Sequence, residues 1–293
     1  MTWRHATREE IYAYYTEEFP TYLDDRPEFL TATGPKQYAI AFGTAHPVRK
    51  DGVPDRDFIR RDTWRTNSAG QQVAPEFDSF DEVIAFIQHP ARNDPLADSQ
   101  FALADPDLVD APDPRPHAVY FALDNWDRSW ILLVDIDAKD IARQRAQQRD
   151  FAAETTLSED ELLERAGIMS APPAGYPYTF EDLDRAIEYG FQLRDIFITD
   201  FDAGETLVMY TGQGVHVYLL DRDPAHQYDE KSREVLNDLL LDHYDIPIDP
   251  VVTADRRRVA RLPYSLHAEV CRVVQPISDP SFDPLAATPE VIE

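Results

Sequence analysis

Trp130 to Asp140 reads WILLVDIDAKD, an apolar run that ends in two aspartates straddling an isoleucine. Successive side chains of a strand alternate between faces, so Asp135 and Asp137 point one way and Val134 and Ile136 the other. Two carboxylates on one face at the end of an apolar strand repel each other and resist desolvation. A divalent cation between them removes both objections. The stretch therefore predicts a largely buried strand with an acidic end.

Spacing alone does not single out this pair. The 293 residues include 36 aspartates, for which random placement gives roughly four Asp-x-Asp pairs, and the chain has six. Asp55/Asp57, Asp105/Asp107, Asp182/Asp184, Asp200/Asp202 and Asp221/Asp223 read as solvated surface. Only the 135/137 pair follows an apolar run that would carry it inward.

The acid excess has its own meaning. Net charge is −27, and only four of the 28 basic residues are lysines (Lys36, Lys50, Lys139, Lys231). This balance suggests adaptation to molar salt, where the screening length falls to about 3 Å. A disordered acidic chain is excluded by the 43% hydrophobic content and the clear periodic segments. A chain of this length can bury a core as one large domain or two small ones. Cys271 stands alone, which rules out intramolecular disulfides and a cysteine-based zinc site, so no structural zinc is expected. No long apolar run and no basic-then-apolar leader is present; the expectation is a cytoplasmic protein with no membrane partner.

Along the chain, Arg8 to Phe19 reads as a helix, Gln37 to Gly43 as a strand and Phe58 to Thr66 as another. Ser79 to His89 has helical periodicity, and a Pro/Asp-rich loop spans Asp105 to Pro116. AVYFAL (Ala118 to Leu123) and ILLVDID are strands, and a charged helical region with a Pro/Gly loop runs from Asp140 to Tyr178. The strongest helix signal is TFEDLDRAIEYGFQL, opened by a capping-box-like Thr179/Asp182 pair. TLVMY and VHVYLL are strands split by TGQG, and Gln227 to Asp242 is a helix. One catalytic domain over 1–278, with an insertion near 140–178 and a loosely held acidic tail over 279–293, is the expected organisation.

Two further stretches carry chemistry. In YTGQGVHVYLL (Tyr210 to Leu220), Gly212 and Gly214 permit close backbone approach to a ligand, Thr211 adds a hydroxyl, and His216 faces away from Val215 and Val217. Alone, this also describes an ordinary hairpin with a half-buried histidine. In PIDPVVTADRRRVARLPYSLHAEV (Pro247 to Val270), Asp249 lies in a short apolar segment. Arg258 and Arg261, three apart, suit one helical face, and Ser265 and His267 share a side of an extended segment. Such an arginine cluster either pairs with the acidic surface or binds a triphosphate.

The order of these pieces resembles the catalytic small subunit of archaeal and eukaryotic primases: D-x-D on a strand, Thr-Gly-x-Gly-Val-His, then Asp, an arginine cluster and RLPYSLH. The resemblance runs from about Tyr38 to His267. It implies an α+β architecture, the archaeo-eukaryotic primase catalytic fold, with an RRM-like half and flanking helices. It also implies DNA-templated nucleotidyl transfer with two Mg²⁺ or Mn²⁺ ions. Asp135, Asp137 and Asp249 would be the catalytic, metal-binding carboxylates; Thr211, His216, Arg258, Arg261, Ser265 and His267 would hold the incoming triphosphate. Lys36 stands where the family usually has an arginine, and the resemblance adds it to the nucleotide-binding residues. Implied partners are a single-stranded DNA template, nucleoside triphosphates and a large primase subunit.

The chain departs from the pattern in three places. AGIMSAPPAGYPY (Ala166 to Tyr178) replaces the family's Cys/His zinc knob, Gln213 takes a turn position often held by arginine, and Val270-Cys271 replaces Thr-Gly. Two alternatives stay open: a repair or gap-filling polymerase without de novo initiation, and a non-catalytic replication scaffold that kept the fold.

Overall fold

The structure is a computed structural model, and it describes residues 6, 8–27, 36–41, 58–59, 76–77, 118–122, 131–153, 178–221, 228–255, 258–267 and 270–292. In chain order the strands are β1 (Lys36–Ala41), β2 (Phe58–Ile59), β3 (Glu76–Phe77), β4 (Ala118–Ala122), β5 (Leu132–Asp137), β6 (Thr206–Tyr210), β7 (Gly214–Leu219), β8 (Val259–Arg261) and β9 (Gln275–Pro276). The α-helices are α1 (Arg8–Ala13), α2 (Ala138–Ala153), α3 (Phe180–Thr199), α4 (Glu230–Asp242) and α5 (Pro250–Ala254). The architecture is α+β, with antiparallel pairing throughout the described sheets. The predicted helix over Ser79 to His89 and the loop over Asp105 to Pro116 lie outside the described residues.

The chain forms two compact units. The first is built on Arg128–Arg258 and Gln275–Ala287, the second on His5–Asp127, Val259–Val274 and Thr288–Glu293.

In the first unit the strand order is β5-β7-β6-β9. Asp135 pairs with His216 and Asp137 with Gly214, a register that puts the apolar residues of three strands on the opposite face. Val134, Ile136, Val208, Tyr210, Val215 and Val217 form that face and share a core with Leu183, Ala186, Ile187 and Phe191 of α3. Gly190 lets the helix approach closely, since a Cβ there would lie 2.7 Å from Val215 Cγ2. The start of α3 is set by the predicted capping box: Asp182 N–H donates to Thr179 Oγ1, and Thr179 N–H donates back to Asp182 Oδ2. Asp182, read from the sequence as surface, is instead buried, with Arg145 of α2 on its carboxylate at 3.0 Å. A cap carboxylate needed by two backbone and side-chain donors is drawn inward with them.

The second unit contains a sheet with the path β2-β1-β4-β8, and β3 also pairs with β1. Against the predicted single helix from Arg8, the chain runs through α1, a π-helical turn (Tyr14–Glu18) and a 3₁₀ segment (Phe19–Asp25), with Pro20 near the change of hand-over between them. Tyr14, Tyr15 and Phe19 are fully buried there.

Two other expectations are corrected. Arg258 and Arg261 do not share a helical face: α5 ends at Ala254, and Val259–Arg261 is a strand paired with β4. Cross-strand pairing of Val259 and Ala260 outweighs the weak helical preference of a short arginine-rich run. The acidic tail is not loose. Ala287 and Ile292 are buried, and Val291 N–H donates to Glu18 Oε2 at 3.3 Å. Its apolar residues, few as they are, are anchored. Among the described residues no helix is long and apolar enough to cross a membrane.

Candidate active site

The alternation read from WILLVDIDAKD holds in three dimensions. Asp135 is 8% exposed and Asp137 has 14% of its side chain exposed, both at the end of β5 away from the α3 core. His216 sits opposite Asp135 on β7, with Nε2 3.4 Å from Asp135 Oδ1, and its Nδ1 is 3.1 Å from the Tyr218 hydroxyl. The edge of β5 not used by β7 receives the third carboxylate's backbone: Asp249 N–H donates to the Asp135 carbonyl at 2.8 Å. A residue 114 positions away in sequence is thereby fixed beside the acidic pair.

Asp249 also does local work. Its Oδ1 accepts from Val251 N–H at 2.9 Å and Val252 N–H at 3.1 Å, capping α5 ahead of Pro250 at the first helical position. α5 is held in turn by α4, through Asn237 Nδ2 to Pro250 O at 2.8 Å and the fully buried Arg233, whose Nη1 reaches Thr253 O at 3.3 Å.

The glycine hairpin has a structural purpose that the sequence did not disclose. Thr211 N–H donates to Gly214 O, Gly212 adopts φ +101°, and Gln213 O accepts from Ala138 N–H at 2.9 Å. A Cβ on Gly214 would lie 2.2 Å from Ile136 O and 3.0 Å from Asp137 Cα. Gly214 thus allows β7 to approach the backbone that carries the aspartates. Thr211 and Gln213 are both buried.

Two residues of the quoted stretch were missed as site residues, Lys139 and Asp140. Because α2 starts at Ala138, directly after β5, its first turn folds both back toward the acidic end of the strand. Lys139 Nζ forms an ion pair with Asp137 Oδ2. Burial works against the Lys139 charge, but Asp137, and behind it Asp140 and Asp135, outweigh burial and raise its pKa. Asp140 lies above the usual carboxylate range, first through burial and then through the charge of Asp137, with Asp249 adding to it. Asp135, Asp137, Asp140 and Asp249 therefore share one field.

The chemistry of this set fits a hard divalent cation: the donors are carboxylate oxygens, and the site already draws a lysine ammonium onto one of them. Among the described residues, no three His, Cys, Asp or Glu side chains are grouped closely enough to hold a metal ion as they stand. Arg258, in the same unit, is exposed, and its N–H donates to Asp255 O.

The second unit holds the other predicted residues. Arg261 lies on β8 with its guanidinium 5.9 Å from the Tyr120 ring centroid, and Nη2 is 2.7 Å from His267 Nε2. A guanidinium only donates, so His267 Nε2 accepts and its ring proton is on Nδ1. His267 is 2% exposed and Ser265 is fully buried, its hydroxyl directed at Leu262 O at 2.8 Å and Val119 O at 3.3 Å. Lys36 opens β1 in register with Phe77.

The fold and the carboxylate face thus define an α+β protein with an acid-ended antiparallel sheet. No protein-family model matches the chain. Over 80 residues, 26% of its length, it is 36% identical to an uncharacterized DNA primase small subunit-like protein of Archaeoglobus fulgidus. The match spans 27% of that relative's length. Among solved structures it is similar to the polymerase domain of Mycobacterium tuberculosis ligase D in complex with DNA, at 14% identity and a TM-score of 0.40, covering 94% of this chain and 84% of that one.

Proposed function

We propose that the chain is a DNA-templated nucleotidyltransferase of the primase type, making or extending primers from nucleoside triphosphates. The observation that carries this reading is the acidic end of β5, where Asp135 and Asp137 share a face and Asp249 is tied by its backbone to Asp135. The 80-residue similarity to a primase small subunit-like protein supports it.

In this reading Asp135, Asp137 and Asp249 hold Mg²⁺ or Mn²⁺, which when bound supplies Lewis-acid stabilisation of a phosphoryl transfer. Asp249 offers Oδ2, the oxygen not taken by the cap bonds to Val251 and Val252. His216 lies against Asp135 from the neighbouring strand, its Nε2 3.4 Å from Oδ1. Nucleotide affinity falls to the cationic groups: Arg258 in the first unit, and Arg261 with its His267 partner in the second. A guanidinium suits phosphate because its donors form a planar fork. The buried hydroxyl of Ser265 serves the turn that carries His267 and acts on the nucleotide through that turn.

The test is incorporation of labelled nucleotides on single-stranded DNA, with Mg²⁺ or Mn²⁺, in molar KCl. Products begun without a primer support a primase. Extension of a supplied primer alone supports the gap-filling polymerase. No incorporation under either condition, by a folded protein, overturns the enzymatic reading in favour of a scaffold.

A further inference from the structure

The segment that carries Arg261 and His267 contains a backbone conformation its sequence should resist. Leu262-Pro263-Tyr264-Ser265 is a β-turn closed by Ser265 N–H to Leu262 O at 3.1 Å, and Tyr264 has φ +66°. Proline followed by a left-handed residue is the pattern of a type II turn, which takes glycine or asparagine at that third position. A bulky aromatic there is strained unless its surroundings hold it.

The surroundings do hold it, from the N-terminal helical run of the same unit. The Tyr22 ring stacks on Tyr264, with centroids 5.3 Å apart and planes within 4°. Tyr264 OH donates to Asp25 O at 2.8 Å, and Tyr14 OH donates to Tyr264 O. One residue on, Leu266 N–H donates to Tyr15 OH at 3.1 Å. Tyr22 is itself oriented by its hydroxyl on Glu18 Oε1 at 2.9 Å. Burial, chiefly, pushes the Tyr14, Tyr15 and Tyr22 phenols up, so all three remain protonated. Glycine would make the same turn without strain but could make neither the stack nor the bond to Asp25.

We propose that Tyr22 and Tyr264 are positioning residues: their stacked pair locks the turn that aims the Arg261–His267 couple, and so sets affinity for the nucleotide triphosphate. The assignment of Arg261 to the nucleotide rests on the function proposed above. The lock itself rests on the geometry of this unit.

Three variants test it. Tyr22→Leu removes the stack while keeping apolar volume. Tyr264→Gly removes the ring and relieves the strain. Tyr22→Phe keeps the stack and gives up only the hydroxyl. Each is checked for folding by thermal melting. Two readouts follow: steady-state nucleotide incorporation, and the ring ¹⁵N resonances of His267. The expected result for Tyr22→Leu and Tyr264→Gly is a nucleotide KM raised on the order of 10- to 100-fold with kcat little changed, as for a binding group displaced by about 1 Å. The His267 Nε2 resonance should move as the arginine bond is lost, and Tyr22→Phe, which keeps the ring but loses its bond to Glu18, should fall between wild type and Tyr22→Leu. For Tyr264→Gly the melting temperature should fall, because the loss of a buried, stacked ring outweighs the relieved strain. The deciding combination is a raised KM together with a shifted His267 resonance in the folded variant, which a merely structural tyrosine would not give. Unchanged KM and unchanged His267 resonances in a folded Tyr264→Gly or Tyr22→Leu variant overturn the proposal. If the wild-type protein incorporates no nucleotide, the functional reading fails, and the His267 resonances alone still decide whether the tyrosine pair holds the couple.

Discussion

Asp135 and Asp137 were legible because alternation along a strand is geometry that any residue obeys, and an apolar run shows which face goes inward. Asp249 was legible only through resemblance, since the bond from its N–H to Asp135 O joins distant parts of the chain. Lys139 was in plain view in the sequence, but its role depends on α2 beginning one residue after β5. If the two-metal reading is right, Asp135→Asn and Asp137→Asn remove charge needed most in the transition state. kcat should then fall by several orders of magnitude, while Asp200→Asn and Asp202→Asn, both exposed, leave it unchanged. Steady-state incorporation on one template decides; near-normal kcat in the first pair would put the chemistry elsewhere. Arg261→Ala and His267→Ala should each raise nucleotide KM, by about 2 kcal/mol in binding. Because the two side chains touch, the double variant should cost much less than the sum. Full additivity would mean that they act independently. Lys139→Met removes the ammonium that an incoming cation must displace from Asp137. Half-saturation by Mn²⁺, followed by its electron paramagnetic resonance signal, should move to lower concentration. Weaker Mn²⁺ binding would instead make Lys139 a support for the carboxylates.

At the scale of elements, α3 was the most legible, because apolar periodicity and a capping box agreed over many residues. The segment after α5 was the least. Its arginines suggested a helical face, whereas three residues of β8 are fixed by pairing with β4, a partner that no local pattern reveals. The TGQG turn was read correctly as a turn but for an incomplete reason. Glycine at 214 serves the approach of β7 to β5, since the added methyl of Gly214→Ala would meet Ile136 O and Asp137 Cα, both backbone. Backbone cannot swing aside as a long side chain can, so the sheet must part there. The expected cost is at least the 1–3 kcal/mol typical of overpacking, read as a lowered denaturation midpoint. Gly204→Ala is the matched control, because its Cβ would meet only the carboxylate end of Asp221, at 3.2 Å. Equal destabilisation by the two variants would show that the close approach at 214 does not matter.

At the scale of the whole molecule, charge dominates. A net −27 spread over 293 residues sets like charges against each other in the folded state, and dilute buffer screens them poorly. Asp184 shows the effect locally. Its carboxyl lies above the ordinary range, through partial burial first and then through the charges of Asp283, Glu188 and Glu181. Some carboxylates run the other way: Asp200 and Asp279 are held low by hydrogen bonds, from Tyr244 and Thr199 and from Ser281. Those bonds are local and change little with salt, whereas repulsion among exposed acids is what salt removes. Two dependences follow. First, the melting temperature and activity should rise steeply between about 0.1 M and molar KCl, as the screening length falls from about 10 Å to about 3 Å. Second, a carboxyl whose folded pKa is raised binds its proton more tightly in the folded state, so its contribution to stability grows as pH falls toward its titration range. In dilute buffer, mild acidification from neutrality should therefore raise the melting temperature, and molar KCl should flatten that response. Circular dichroism melts over a grid of KCl and pH measure both at once. Full structure and full stability in dilute neutral buffer, with no gain from either salt or acid, would mean that the acidic surface is arranged without net repulsion and that adaptation to high salt is not its purpose.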